Sequence, residues 1–289
     1  MEGFARAGIT MLVAALSFSA PLVGTFALVD GTPKVAAEMR VQQTPTKTML
    51  DIFQTQGQST KPILKYDLDM TKLMHLVIIS DDFSQFMHLH PAFNAKTGHF
   101  TIALPLDPTR QYIAYVDTMP SGDGQQVFRF LLPAQQTAEM AVPAGQPTNR
   151  PIFASTPSPT ATTAGPYTVK IQATTIAANV REAVNLTIER NGRPASDLHP
   201  YLGAAAHAVF IDTANLGYIH LHPMIKGAKS DMDMSMPGSM SMKDEGGPAK
   251  SGPQMVMDVP DLPVGTYKMW LQFEGGSKLY TAAFTIAVR

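Results

Sequence analysis

The feature that most narrows what this chain can fold into is a pattern of histidines written twice. In HLVIISDDFSQFMHLHP, His75 is followed by His88, His90 and Pro91; in HAVFIDTANLGYIHLHP, His207 is followed by His220, His222 and Pro223 at the same spacing. The register resumes downstream. Pro105 stands seven residues before Tyr112 and Pro260 seven before Tyr267, and the copies continue as IAYVD and KMWLQF. Self-similarity on this scale means two copies of one structural unit.

Both copies read as β-structure. Runs such as KLMHLVIIS, QFMHLHP and QYIAYVD in the first, and VNLTIER, HAVFID and TYKMWLQF in the second, are short, rich in β-branched and aromatic residues, and bounded by Gly, Pro, Asn and Asp turns. The expected fold is therefore all-β, two tandem immunoglobulin-like (cupredoxin-like) antiparallel β-sandwich domains behind an N-terminal hydrophobic helix. The first domain is placed at 44–133 and the second at 166–289. The Pro/Thr/Ala-rich stretch 134–165 has little periodicity and reads as an extended linker.

Residues 1–30 read as an export segment. After Glu2 and Arg6, the stretch 7–29 carries no charge, which suits either a secretory signal cleaved near Ala20 or an uncleaved membrane anchor. The expected location is the periplasm, the cell envelope or the secreted fraction. A formal net charge of −1 over 289 residues gives no electrostatic case for nucleic acid. Cysteine is absent, which excludes disulfides, thiolate metal sites and thiol nucleophiles.

The histidine spacing becomes a spatial expectation once strands are drawn. A hairpin turning at Asp81 and Asp82 sets His75 opposite His88, with His90 on the same face; one turning at Thr213 and Ala214 does the same for His207, His220 and His222. Imidazoles gathered on an apolar face need partners for their nitrogens, and a metal ion supplies one. A single histidine is more readily explained as a hydrogen-bonded core residue. Six of the chain's eight histidines on one template used twice point to metal instead.

The second copy adds an insertion after Pro223, MIKGAKSDMDMSMPGSMSMKDEGG, with Met232, Met234, Met236, Met240 and Met242 among Asp, Ser, Gly and Pro. Thioethers in such polar, turn-rich surroundings are no core. They are soft ligands that select Cu(I), while imidazole suits copper in either oxidation state, with zinc or silver as alternatives. Asp197 and His199, in DLHPYLGAAAH, are further candidate ligands. His99 has Gln254 at the corresponding position of the second copy and is a weaker candidate.

The methionine-rich tract at 230–245 resembles the loops of bacterial periplasmic copper-resistance and copper-chaperone proteins, and the paired sandwiches resemble the cupredoxin-type domains those families use. The HLHP segments are similar to those of uncharacterised secreted bacterial proteins. The resemblance implies extracytoplasmic copper handling placed on Met232, Met234, Met236, Met240 and Met242, with a copper-transporting envelope protein as partner. The missing Cys ligand excludes a blue-copper site.

The expected function is thus a non-enzymatic metal-binding protein that sequesters or transfers copper; the first copy, lacking the methionine loop, is expected to bind more weakly or to prefer Zn(II) or Cu(II), and the sequence leaves open whether the two domains share one metal. Two alternatives compete. A histidine-dependent metalloenzyme would need an open metal position, yet neither His90 nor His222 is followed by the Glu that cupins require, and no HExxH or G-x-S-x-G motif occurs. An immunoglobulin-like adhesion module would make the histidines structural.

Overall fold

The strands at the centre of the molecule are apolar on both faces, and the architecture follows from that. In MHLVIIS, residues Met74–Ser80, every position is buried. Leu76 and Ile78 point into the core of their own half, while Val77 and Ile79 point the other way, into a second apolar cluster. HAVFID, residues His207–Asp212, repeats the division with Ala208 and Phe210 on one side and Val209 and Ile211 on the other. A strand buried on both faces belongs to a sheet covered on both faces.

A computed structural model describes residues 20–29, 31–44, 46–132, 134, 156–227 and 251–289. The described residues form an all-β fold of four sheets with no helix, in which strand pairing is antiparallel apart from one short parallel edge contact and an isolated parallel bridge between Leu28 and Tyr218. In the first half, an outer sheet runs Leu22–Val23, Val35–Thr44, Lys47–Gln56, His99–Leu104, Ala92–Asn94, and an inner sheet Thr25–Phe26, Gln126–Leu132, Tyr112–Pro120, Met74–Ser80, Phe86–Leu89. The second half repeats this order. Its inner sheet runs Thr175–Ile176, Lys278–Val288, Gly265–Gly275, His207–Asp212, Tyr218–Leu221. Each half encloses its own core between its two sheets, one containing Met39, Leu50 and Phe130, the other Tyr167, Phe273 and Phe284.

The two inner sheets face each other across a third cluster that includes Ile79, Tyr115, Val127, Ile211, Tyr218 and Trp270. Its aromatic contacts are reciprocal. Tyr115, paired with Val77 in the ladder, stacks on Tyr218 of the second half at 5.1 Å. Trp270, paired with Val209 at the equivalent position, stacks on Phe86 of the first half at 4.9 Å. The halves are therefore joined by an apolar layer with approximate two-fold character.

The N-terminal expectation needs correction. The described part of the apolar segment is extended, not helical: Leu22–Val23 pairs with the outer sheet of the first half and Thr25–Phe26 with its inner sheet. Gly24 lets the chain cross between them, since a Cβ there would lie 2.7 Å from Phe130 Cζ. The Tyr218 amide then donates to the Ala27 carbonyl at 2.9 Å, so the segment straps the second half to the first. Backbone pairing to these sheets and burial of Ala27 outweigh a helical conformation here.

The expected linker is also shorter than composition suggests. Ala161–Ala164 pairs with Tyr167–Ile171, and the Ser158 amide donates to the Thr285 carbonyl, so residues from about 158 belong to the second half. Residues 135–155 lie outside the described residues.

Candidate metal centre

Each hairpin presents its histidines to the other half. Residues Ser80 and Gln85 close the first turn, so Val77, not His75, lies opposite His88, and the ladder continues toward His75 opposite His90. The second hairpin does the same, with Val209 opposite His220. The register differs from the expected one by two residues because both turns are longer than two residues. An even shift preserves faces, so the three histidines of each copy still share one side.

That side is the interface, and the two trios form one cluster rather than two sites. His75 lies 5.1 Å from His88 and 4.9 Å from His220 between ring centroids, and His88 lies 5.3 Å from both His207 and His220. The sequence leaves open whether the two halves share one metal; in the structure the inner sheets pack on one another and bring both trios together.

Hydrogen bonds on the outer side of the cluster fix how each ring is protonated. His75 Nε2 donates to the Asp69 carbonyl at 3.3 Å and His207 Nε2 to the Tyr201 carbonyl at 3.0 Å. Both carbonyls come from the same duplicated turn, closed by the bridges Asp69–Lys72 and Tyr201–Ala204, with Met70 and Leu202 at left-handed φ of 53° and 51°. His88 Nδ1 donates to Gln272 Oε1 at 3.0 Å, and Gln272 Nε2 in turn donates to the Thr281 hydroxyl. When Asp117 is ionised, His220 Nδ1 donates to its Oδ2 at 3.3 Å. Asp117 and Gln272 occupy equivalent ladder positions opposite His75 and His207, and each serves a histidine of the other half.

With those four nitrogens committed as donors, the remaining nitrogens of His75, His88, His207 and His220 carry lone pairs. They point at one another. His75 Nδ1 is 2.9 Å from His88 Nε2, His207 Nδ1 is 3.1 Å from His220 Nε2, and ligand atoms of all four lie within 4.8 Å of each other. Acceptor pairs at these separations repel unless a proton or a metal cation lies between them, and burial disfavours the proton. An ion about 2.0–2.1 Å from two adjacent nitrogens separates them by roughly 2.9 Å at a right angle and 3.4 Å at a tetrahedral one. The observed spacings fall in that range.

The electrostatics agree with ligand duty. Burial holds all six imidazoles below the ordinary histidine value: His90 and His207 at about 3, His222 at about 4, and His75, His88 and His220 displaced the same way. Neutral imidazole is the form that binds metal. Burial also pushes Asp117 up to about 8 and raises Asp69, with Asp69 adding to the effect on Asp117. These two acids sit beside the cluster with no Arg or Lys bonded to either among the described residues.

The other sequence candidates stand apart. His199 is exposed on the edge strand Leu198–His199. Asp197 accepts from the Tyr167 hydroxyl at 2.7 Å and pairs with Arg190, a local brace for the second half. His99 bonds Asp51 at 2.6 Å and stacks on Phe53. Met232, Met234, Met236, Met240 and Met242 lie outside the described residues. Sequence reasoning missed Asp69, Asp117 and Gln272. The last two end the apolar alternation at matching places in IAYVD and KMWLQF, a signal available from the aligned copies.

A family model described as a domain of unknown function, DUF8832, matches residues 161–289, a span that opens with the strand Ala161–Ala164 and takes in the inner sheet of the second half from His207–Asp212 to Lys278–Val288. No curated protein matches the sequence.

Proposed function

We propose that this protein binds a transition-metal ion between its two halves, and that its role is extracytoplasmic copper sequestration or transfer rather than catalysis. The observation that carries the reading is the convergence of four histidine lone pairs whose opposite nitrogens are all held as donors. Four imidazoles can fill a tetrahedral shell, as structural and storage sites do, whereas catalytic sites keep a position open. Copper is favoured by the methionine tract, which is free of the apolar company that core methionines keep. Zinc is the second reading, favoured by a buried ligand set made wholly of imidazole. Each half is taken to be an immunoglobulin-like or cupredoxin-like unit.

Export is part of the proposal. With 22–26 in strands, the uncharged residues 7–19 match the 7–15-residue apolar region of a secretory signal better than the roughly 20 needed to span a bilayer. Cleavage near Ala20 would leave the strap intact.

The test is elemental analysis of the full chain after exposure to copper and zinc together, beside the double variant His88→Ala/His220→Ala and a variant lacking residues 230–245. Stoichiometric copper in the parent, lost in the histidine variant and weakened in the deletion, is the expected result. Metal content unaffected by the histidine changes would refute it.

A further inference from the structure

Four imidazoles suffice for one ion, but the cluster holds six, together with a carboxylate. His222 is the informative one. Its Nε2 is buried and has no hydrogen-bond partner, although its ring lies 4.8 Å from His207 and 4.7 Å from His220. Asp69, His220 and His222 each offer a ligand atom within 4.8 Å of the others, a grouping that overlaps the four-histidine set only at His220.

We propose a second cation position beside the first, held by the Asp69 carboxylate and His222 Nε2, so that the centre is dinuclear. The inference rests on the metal-binding reading of the same cluster. Like the first position, the second straddles both halves, Asp69 coming from the first and His222 from the second. Unlike the first, it breaks the two-fold relation. The mirror-image position would use His90 and the residue equivalent to Asp69, which is Tyr201, a side chain with no carboxylate. Lys72 also acts on His90 there, as it does on His75, whereas its counterpart in the second half, beside His222, is Ala204. One extra ion is therefore expected, not two. With only two protein ligands of its own, this ion completes its shell with solvent and is the weaker and more exchangeable of the pair. Both Asp69 and His222 are only partly buried, consistent with a position nearer the rim.

Zn(II) is the probe, because carboxylate and imidazole bind it while methionine thioethers do so poorly, and the titration is repeated on the chain lacking 230–245 so that Asp231, Asp233, Asp244 and Glu245 of the insertion stay out of the count. The full chain is titrated with Zn(II) and its content measured after gel filtration. Two ions per chain are expected for the parent, and one for Asp69→Asn/His222→Gln. Circular dichroism and the unfolding midpoint of the metal-free protein report whether that variant is folded, and the single variant His222→Gln repeats the measurement if it is not. Cu(II) loading supplies an independent readout: a spin-coupled pair in the parent, an isolated Cu(II) signal in the variant. One Zn(II) in both proteins overturns the second position and leaves the four-histidine site standing. No Zn(II) or copper in the parent overturns both.

Discussion

Replacing Asp117 with Asn tests whether the cluster is tuned by a carboxylate that touches no ion. Asp117 is 2% exposed, accepts from His220 Nδ1, and is also bonded by both Gln125 Nε2 and the Tyr218 hydroxyl. Asn keeps the size and an acceptor oxygen, so the metal-free fold should change little. The charge is what disappears. A carboxylate behind a ligating histidine raises the ligand's basicity, and its loss costs about 10–100-fold in affinity, or roughly 1.4–2.7 kcal/mol. Burial pushes the Asp117 carboxyl to about 8, so at pH 7 the metal-free protein holds its proton. An ion on His220 favours the ionised form, and a proton is released on binding. Deprotonating the group one pH unit below its midpoint costs about 1.4 kcal/mol. Parent affinity should therefore rise about tenfold from pH 6 to 7 and about fivefold from pH 7 to 8, relative to Asp117→Asn. Burial holds the histidines below their ordinary value in both proteins, and their contribution cancels in the comparison. Competition titrations with a chromophoric Zn(II) chelator at pH 6, 7 and 8 give the comparison. Equal affinities, or parallel pH profiles, would refute the link between Asp117 and the ion.

Three further outcomes follow from the same geometry. Trp270→Ala removes a 3%-exposed indole stacked on Phe86 and should destabilise the metal-free protein by about 3–5 kcal/mol in urea unfolding; a loss below about 1 kcal/mol would mean that the inter-half layer contributes little. Metal-free stability should fall as pH drops from about 6.5 toward 4, because the unfolded chain gains protons that the buried imidazoles refuse. A histidine held at about 3, such as His207, contributes a loss of roughly 2 kcal/mol at pH 5, and urea midpoints at pH 7.5 and 5 that coincide would contradict it. Bound metal should raise stability by about 2.7 kcal/mol at a free concentration one hundred times Kd, an increment that a chelator abolishes while the near-ultraviolet signature of the stacked aromatics persists. Loss of that signature on chelation would show that the ion, not the apolar layer, joins the halves.

What could be read from the chain, and what could not, divides along a physical line. Strand character was legible because β-branched runs and turn residues act locally, and the shared face of His75, His88 and His90 survived a two-residue error in register because side chains alternate with period two. The strands at Leu22–Val23 and Thr25–Phe26 were not legible. An uncharged run satisfies the demands of an export segment and of a half-buried edge strand equally, and only pairing partners far along the chain decide between them. The merging of the trios left a trace that went unused. HLVIIS and HAVFID are apolar at consecutive positions, although a two-sheet sandwich covers only one face of each sheet. Their second face had to be covered by something, and the duplicated sequence offered an identical apolar face carrying the same histidines. Two copies that bury these faces on each other must bring the trios together, and Asp117 and Gln272, equivalent residues of different charge, then serve histidines across the junction. Duplication explains the six imidazoles. Divergence at Asp117 and Asp69, which face Gln272 and Tyr201 across the two-fold relation, gives one side of the centre two carboxyl groups that the other lacks, ready to ionise when a cation binds.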